Sequence, residues 1–318
     1  MEGGVRSRGI TLILLGAILL ATACNRSTKK SIAVIPKGTE HVFWLSVRAG
    51  ADQAGKDFNV EILWNGPPQE TDYSRQIQII DSMIARHVDG IALAAAERKA
   101  LVGSVDRAAA EKIPVTVFDS GLDSNNYLSF IATDNVEGGR TGARTLGQLL
   151  NGKGKVAMVM NAPGSVSTMD REKGFNEVMA KEFPNIQVVA TQYTMSDRAK
   201  AMAVAENFLT AHPDLNGIFC SSEPSSVGAA QAIKGRNAAG KVKLVAFDSS
   251  DSMIEDLRAG VIDAQIVQDP FRMGYEAVKT LVDKLNGKEP PKRVDLQARV
   301  IRKADLDNPE VKKLLGLK

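Results

Sequence analysis

Two acidic residues stand directly after short apolar runs, Asp119 in Val117-Phe-Asp-Ser-Gly121 and Asp248 in Val245-Ala-Phe-Asp248. Arg171 lies in Met169-Asp-Arg-Glu-Lys-Gly-Phe175, Gln268 in Val267-Gln-Asp-Pro270, and Phe43 and Trp44 follow the first apolar run of the mature sequence. Carboxylates and guanidinium groups accept or donate two hydrogen bonds at once, and aromatic rings offer flat apolar plates. Such a set suits a small ligand with a fan of hydroxyls and weakly apolar C–H faces, which is the chemistry of a sugar or polyol. Each residue also has a plain structural reading. Asp119 and Asp248 can serve as turn or capping residues, and Arg171 can pair with Asp170 or Glu172 on a solvated helix. Phe43 and Trp44 are adjacent and cannot share one helical face, so one of them can be core.

The elements that must position these residues alternate from Ser31 onward, short β-branched runs with longer amphipathic stretches, as in parallel sheets covered by helices. Strands are expected at Ser31–Ile35 and near Val60–Trp64, Gly90–Ala94 and Val115–Phe118, with helices over Val42–Phe58, Asp72–Arg86 and Arg98–Glu111. In the second of these helices Ile77, Ile80 and Ile84 predict the buried face. A second series follows Ser129–Ala132, with strands near Lys155–Met160, Gln187–Ala190, Gly217–Cys220, Leu244–Phe247 and Asp263–Val267. Its helices open near Asn135, Met169, Asp197, Pro224 and Ser252, and Met273, Ala277, Leu281 and Leu285 give a last helical stripe. The pattern is a doubled α/β unit. Ligands of open α/β sheets lie beyond the carboxyl ends of the strands, where the loops bearing Lys37, Asp119, Ser222 and Asp248 fall. Two such edges facing one another make a cleft.

The chain has 318 residues, enough for two globular lobes, and is 44% hydrophobic and 24% charged. A net charge of +3, from 40 basic and 37 acidic residues, gives no concentrated basic surface and argues against nucleic acid as a partner. Arg6 and Arg8 precede an apolar run, Ile10–Leu20, too short to span a bilayer comfortably and suited to a signal-peptide core. Ala21-Thr22-Ala23 then precede Cys24, as in the lipobox of bacterial lipoproteins, where that cysteine is acylated; Ala21 departs from the usual Leu, and simple cleavage nearby is the alternative. Cys220 is the other cysteine and reads as a small core residue, so no intramolecular disulfide is available to the mature chain. His41, His87 and His212 are scattered without ligand spacing, which gives no metal site, and no cofactor is expected.

At these residues the chain resembles the ribose-binding family of periplasmic solute-binding proteins, relatives of the ligand-binding cores of LacI-type repressors. The resemblance runs from about Ser31 to about Ile301 through Ile131-Ala-Thr-Asp-Asn-Val136 with Gly138-Gly139, Thr210-Ala-His-Pro-Asp214 and Ala246-Phe-Asp248, each weak alone but in order and at the family's spacing. It implies a type I periplasmic binding protein fold, two similar doubly wound lobes joined by three crossing strands. The lobes would comprise residues 31–133 with 269–296 and residues 134–268 with 297–303, after a leader (1–23) and a lipidated tether (24–30), and before a C-terminal tail (304–318).

The resemblance further implies capture of a monosaccharide or related polyol by hinge closure and its delivery to the permease of an ABC importer. A membrane sensor or chemoreceptor is the alternative partner. The protein would be a monomer, membrane-anchored through Cys24, in the periplasm or at the cell surface. Asp119, Arg171, Asp248 and Gln268 match the family's polar contacts, and Phe43 and Trp44 match its stacking aromatics. Lys37, His41, Ser120, Ser196 and Ser222 stand at family contact positions with altered residues, which leaves the ligand's identity open. An enzyme acting on sugars is the rival class, since Asp119 and Asp248 could serve as acid and base. Against it, the chain has no G-x-S-x-G, H-E-x-x-H or G-x-x-x-x-G-K-[ST] motif. A transcriptional regulator would need a DNA-binding headpiece ahead of Ser31, where the leader stands.

Overall fold

The structure, a computed structural model, describes Met1 and residues 29–317. The leader and the acylation expected at Cys24 fall outside the described residues. From Ser31 the chain builds two six-stranded sheets. The first contains β1 (Ser31–Ile35), β2 (Glu61–Trp64), β3 (Gly90–Leu93), β4 (Val115–Phe118), β5 (Ser129–Thr133) and a late strand, β11 (Arg293–Leu296), in the order β11-β5-β4-β3-β1-β2. All of its pairs are parallel. The second contains β6 (Gly154–Met160), β7 (Ile186–Tyr193), β8 (Gly217–Cys220), β9 (Lys243–Phe247), β10 (Ala264–Val267) and β12 (Arg299–Ile301), in the order β12-β10-β9-β8-β6-β7. Only β12 runs antiparallel, against β10. The two orders correspond strand for strand, and the chain passes between sheets after β5, after β10 and after β11.

Strand periodicity explains the two-sided burial of each sheet. Ile32 and Val34 of β1 face one core with α1 (Val42–Asp57) and α9 (Pro270–Leu285), while Ala33 and Ile35 face another with α2 (Tyr73–Ala85) and α3 (Val102–Ala110). In the second lobe α4 (Asn135–Leu149) and α5 (Val166–Glu182) cover one face. The other is covered by α6 (Arg198–Ala211), α7 (Glu223–Gly235), α8 (Asp251–Ala259) and α10 (Pro309–Leu315). Cys220 lies fully buried in this core as a free thiol.

Several boundaries differ from the sequence reading, for local reasons. The third helix begins at Val102, not Arg98, because the Glu97 carboxylate accepts the N–H groups of Lys99 and Ala100 and holds the segment in a turn. The fifth begins at Val166, a turn before Met169; its first turn, Val-Ser-Thr, shows no apolar periodicity. The buried stripe of α2 is Gln76, Ile79, Ile80 and Met83, with Ile77 and Ile84 on its flanks. A polar residue therefore opens a face that hydrophobicity alone misplaces. Residues read as a C-terminal tail include α10, whose Val311 is buried against the second lobe. Asp197 and the Glu223-Pro224 pair do open helices as expected, Asp197 by accepting the N–H of Lys200.

Candidate functional site

The carboxyl ends of the two sheets face each other, and the side chains that follow the strands meet between them. Gln76 fixes the first edge: its amide nitrogen donates to the carbonyls of Pro36 and Ala94 at 2.8 Å each, and its amide oxygen accepts from Ala96 N–H at 3.1 Å. The loops after β1 and β3 are thereby tied together, with Lys37 next to the tie. Asp119 and Asp248 follow β4 and β9 with left-handed backbones, φ 57° and 69°. Asp and Asn enter that region more readily than most residues.

Arg171 is placed by a close helix crossing. A Cβ at Gly139 of α4 would lie 1.9 Å from the Arg171 carbonyl oxygen, and one at Gly174 of α5 would lie 2.0 Å from that of Val136. With both glycines the helices touch backbone to backbone. The guanidinium, 2% exposed as a residue, donates through Nε to Asn135 Oδ1 (2.9 Å) and through Nη1 to the Ser221 carbonyl (2.9 Å). It lies 3.9 Å from the Phe247 ring centroid and 3.9 Å from Asp248 Oδ2. The solvated pairing with Asp170 or Glu172 is not what this residue does.

A small cavity lies between the lobes. Phe43, Trp44, Asp119, Arg171, Asp248 and Gln268 all line it, as do Lys37, His41 and Ser222. Ser120 and Ser196 are buried beside it: Ser120 Oγ accepts from Ser167 N–H (3.3 Å), and Ser196 Oγ donates to Glu70 Oε2 (2.9 Å). Phe43 and Trp44 pack edge to face with centroids 4.9 Å apart, and Trp44 also meets Phe118. Trp44 is both core and wall, with its indole N–H donated to Glu70 Oε1 at 2.8 Å.

Sequence reasoning missed Glu70, Asn161, Thr168 and Glu223 at this wall. Asn161 directly follows β6 and Glu223 opens the helix after β8, so the strand-end rule could have found both. Glu70 lies in the β2–α2 loop, and no pattern marks it.

Contacts between the lobes are numerous and polar. Lys37 Nζ reaches Asp119 Oδ2 (3.0 Å) in its own lobe and the hydroxyls of Ser165 (3.3 Å) and Ser167 (3.1 Å) in the other. His41 meets Ser196 Oγ through Nε2 (3.3 Å) and Glu223 Oε2 through Nδ1 (3.4 Å). At the hinge Thr133 donates to Gln268 Oε1 (2.6 Å), while Gln268 Nε2 donates to Asp248 Oδ1 (2.6 Å). Asp248 Oδ2 also accepts from the N–H of Glu223 (2.9 Å). These bonds describe a closed cleft.

Burial shapes the acidity of the wall. It raises the Asp248 carboxyl against the pull of Arg171 and Gln268, and raises that of Glu223 against Arg198 and His41. Burial also pushes on Glu70, but Lys37, His41, Trp44 and Ser196 together outweigh it and leave that carboxyl below its ordinary value.

A family model described as a periplasmic binding protein domain matches residues 32–289. The ribose import binding protein of Bacillus subtilis is 26% identical over 301 residues, covering 90% of this chain and 96% of that protein. The D-allose-binding periplasmic protein of Escherichia coli is 30% identical over 277 residues, covering 85% and 88%. Among solved structures, a carbohydrate transporter solute binding protein from Agrobacterium radiobacter, in complex with D-arabinose, superposes with a TM-score of 0.89 at 34% identity, covering 91% of this chain and 99% of that one.

Proposed function

Because the chain belongs to the periplasmic binding protein domain family, we propose that it captures a monosaccharide or related polyol outside the cytoplasm and delivers it to an ABC importer. The observation that carries this reading is the cavity between the lobes with charged, buried side chains from both, Asp119 from one and Arg171 and Asp248 from the other. Relatives named for ribose and allose, and one holding D-arabinose, support the ligand class. Ligand held by one lobe bridges to the other and shifts the population toward the closed form, which docks on the permease. Charge-assisted hydrogen bonds of roughly 1.5–3 kcal/mol each, with stacking on Phe43 and Trp44, suffice for micromolar or tighter binding. The carboxylates act as hydroxyl acceptors and the ligand leaves unchanged.

The same reading divides the chain into lobes of residues 31–133 with 269–296 and 134–268 with 297–303, and adds α10 to the second, where Val311 is buried. Acylation of Cys24 and a periplasmic or surface location of the monomer belong to the same reading. They rest on the Ile10–Leu20 run and the small residues before Cys24; intact-mass spectrometry of the membrane-extracted protein tests them. The central test is a thermal-shift screen against pentoses, hexoses and polyols, since ligand at 100 times its Kd adds roughly 2.7 kcal/mol. A shift with one or a few sugars, recovered chemically unaltered, is expected. Silence across the screen, or turnover of a bound sugar, would sink the proposal.

A further inference from the structure

The cavity wall carries four carboxylates, Glu70, Asp119, Glu223 and Asp248, but only two permanent cations, Lys37 and Arg171. Lys37 has three ammonium hydrogens and three oxygens around it, those of Asp119, Ser165 and Ser167. Its charge is matched by Asp119, and it keeps no hydrogen for an acidic substituent. Arg171 stands against Asp248 and the Phe247 ring. Arg198, at the rim, reaches Glu223 Oε1 at 2.6 Å. Glu70 feels Lys37 at longer range but makes no direct ion pair with a permanent cation among the described residues.

Trp44, Ser196 and Asn161 donate to Glu70, His41 draws on it at longer range, and the hydrogen bonds of His41 can be counted. Ser196 gives its hydroxyl hydrogen to Glu70, so the contact between Ser196 Oγ and His41 Nε2 needs a hydrogen on the ring nitrogen. Nδ1 then faces Glu223 Oε2 at 3.4 Å, and neither atom has another hydrogen-bond partner among the described residues. Two lone pairs facing each other in a buried site repel; one proton between them, on either atom, makes the contact a bond. Burial, which raises the Glu223 carboxyl, favours keeping that proton. The other groups around His41 are Glu40, Glu70, Asp197, Arg198 and Lys200, with Asp248 behind Glu223.

We propose that Glu70 and Glu223 are specificity-determining residues that close the site to acidic sugars, and that one proton held between His41 and Glu223 balances its charge around an uncharged ligand. The inference rests on the sugar-binding reading above. An acid group brought into the cavity adds a negative charge to a wall on which carboxylates already outnumber permanent cations, whereas a hydroxyl adds none. The proton also joins the lobes, since His41 belongs to one and Glu223 to the other. Its loss at high pH weakens closure, so affinity for a neutral sugar falls as pH rises.

The test combines a ligand panel with one isosteric variant. Thermal shift and calorimetry at pH 6 compare D-ribose, D-allose, D-arabinose and D-galactose with D-ribose 5-phosphate, D-glucuronate and D-galacturonate. Stabilisation by neutral sugars and by none of the acidic ones is expected; an acidic sugar bound as tightly as the neutral ones overturns the inference, and silence of the whole panel overturns the sugar-binding reading beneath it. In Glu223→Gln the amide oxygen can keep Arg198 while the amide N–H donates to a neutral His41 Nδ1, so no proton is required. Binding of the same neutral sugar from pH 6 to 9 should decline in the unsubstituted protein and stay flat in Glu223→Gln. Equal slopes in the two proteins overturn the proton clasp.

Discussion

Asp119 and Asp248 occupy equivalent places in the two lobes: each follows a phenylalanine at the end of a central strand and adopts a left-handed backbone. Each also donates its N–H over 2.9 Å to an isoleucine carbonyl on the next strand, Ile131 in one lobe and Ile266 in the other. For a residue with a side chain this conformation costs roughly 1–2 kcal/mol. The turn that causes this strain brings both carboxylates to the cavity wall.

That relationship separates two substitutions at one position. Asp248→Ala and Asp248→Gly both remove the acceptor that Gln268 and the Glu223 N–H engage, so both should weaken sugar binding by well over tenfold in calorimetry. Glycine tolerates the left-handed backbone and alanine does not, so the glycine variant should melt above the alanine variant. Unchanged affinity in either variant would remove Asp248 from the site.

Lys37→Met should speed ligand release. The substitution removes both bonds from Lys37 to the opposite lobe and leaves Asp119 buried without its cation. Breaking such a buried pair costs several kcal/mol. Stopped-flow displacement should show the neutral sugar leaving more than tenfold faster, with a lower melting temperature. An unaltered release rate would mean that Lys37 plays no part in closure.

Much of this site was legible because its residues obey one rule, position after a strand. Asp119, Asp248, Gln268 and Lys37 follow β4, β9, β10 and β1 in that way. The doubled α/β order was legible for the related reason that β-branched runs and helical stripes alternate over nearly the whole chain. Glu70 was not, because it reaches the cavity from a long loop and owes its place to Trp44 and Ser196, distant in sequence. Nor could sequence show that Lys37 is held by Asp119 and two serines. Hydrophobic patterning also misjudged α2, since the residue that opens its buried face is Gln76, a polar side chain satisfied by three backbone groups.

Gly139→Ala tests whether the position of Arg171 depends on backbone contact between α4 and α5. The added Cβ would lie 1.9 Å from the Arg171 carbonyl oxygen, and a backbone group cannot rotate away. The helices must separate. Overpacking of this kind costs about 1–3 kcal/mol, so the melting temperature should fall by several degrees. Affinity should fall with it, because Arg171 moves with its helix. A variant with native stability and affinity would show that the crossing is loose.

Glu172 supplies a pH dependence of stability that is separate from the ligand. It sits 4% exposed, with Oε1 accepting from Ser221 Oγ (3.0 Å) and from the Asn161 N–H (3.4 Å). Burial raises its carboxyl to about 7 despite those bonds and the nearby Arg171. The sign follows from proton counting. Between the ordinary carboxylate value near 4.5 and about 7, the folded protein holds a proton that the unfolded chain has released, so stability falls as pH rises through that window and levels off above it. A glutamine at this position would carry no charge at any pH and could keep the acceptor oxygen. Glu172→Gln should therefore match the unsubstituted protein near pH 4.5 and exceed it by roughly 2–4 kcal/mol above pH 8. Melting curves across that range provide the check: a difference that does not grow with pH would mean that Glu172 is already ionised in the folded protein at low pH, with Arg171 and the two hydrogen bonds outweighing its burial.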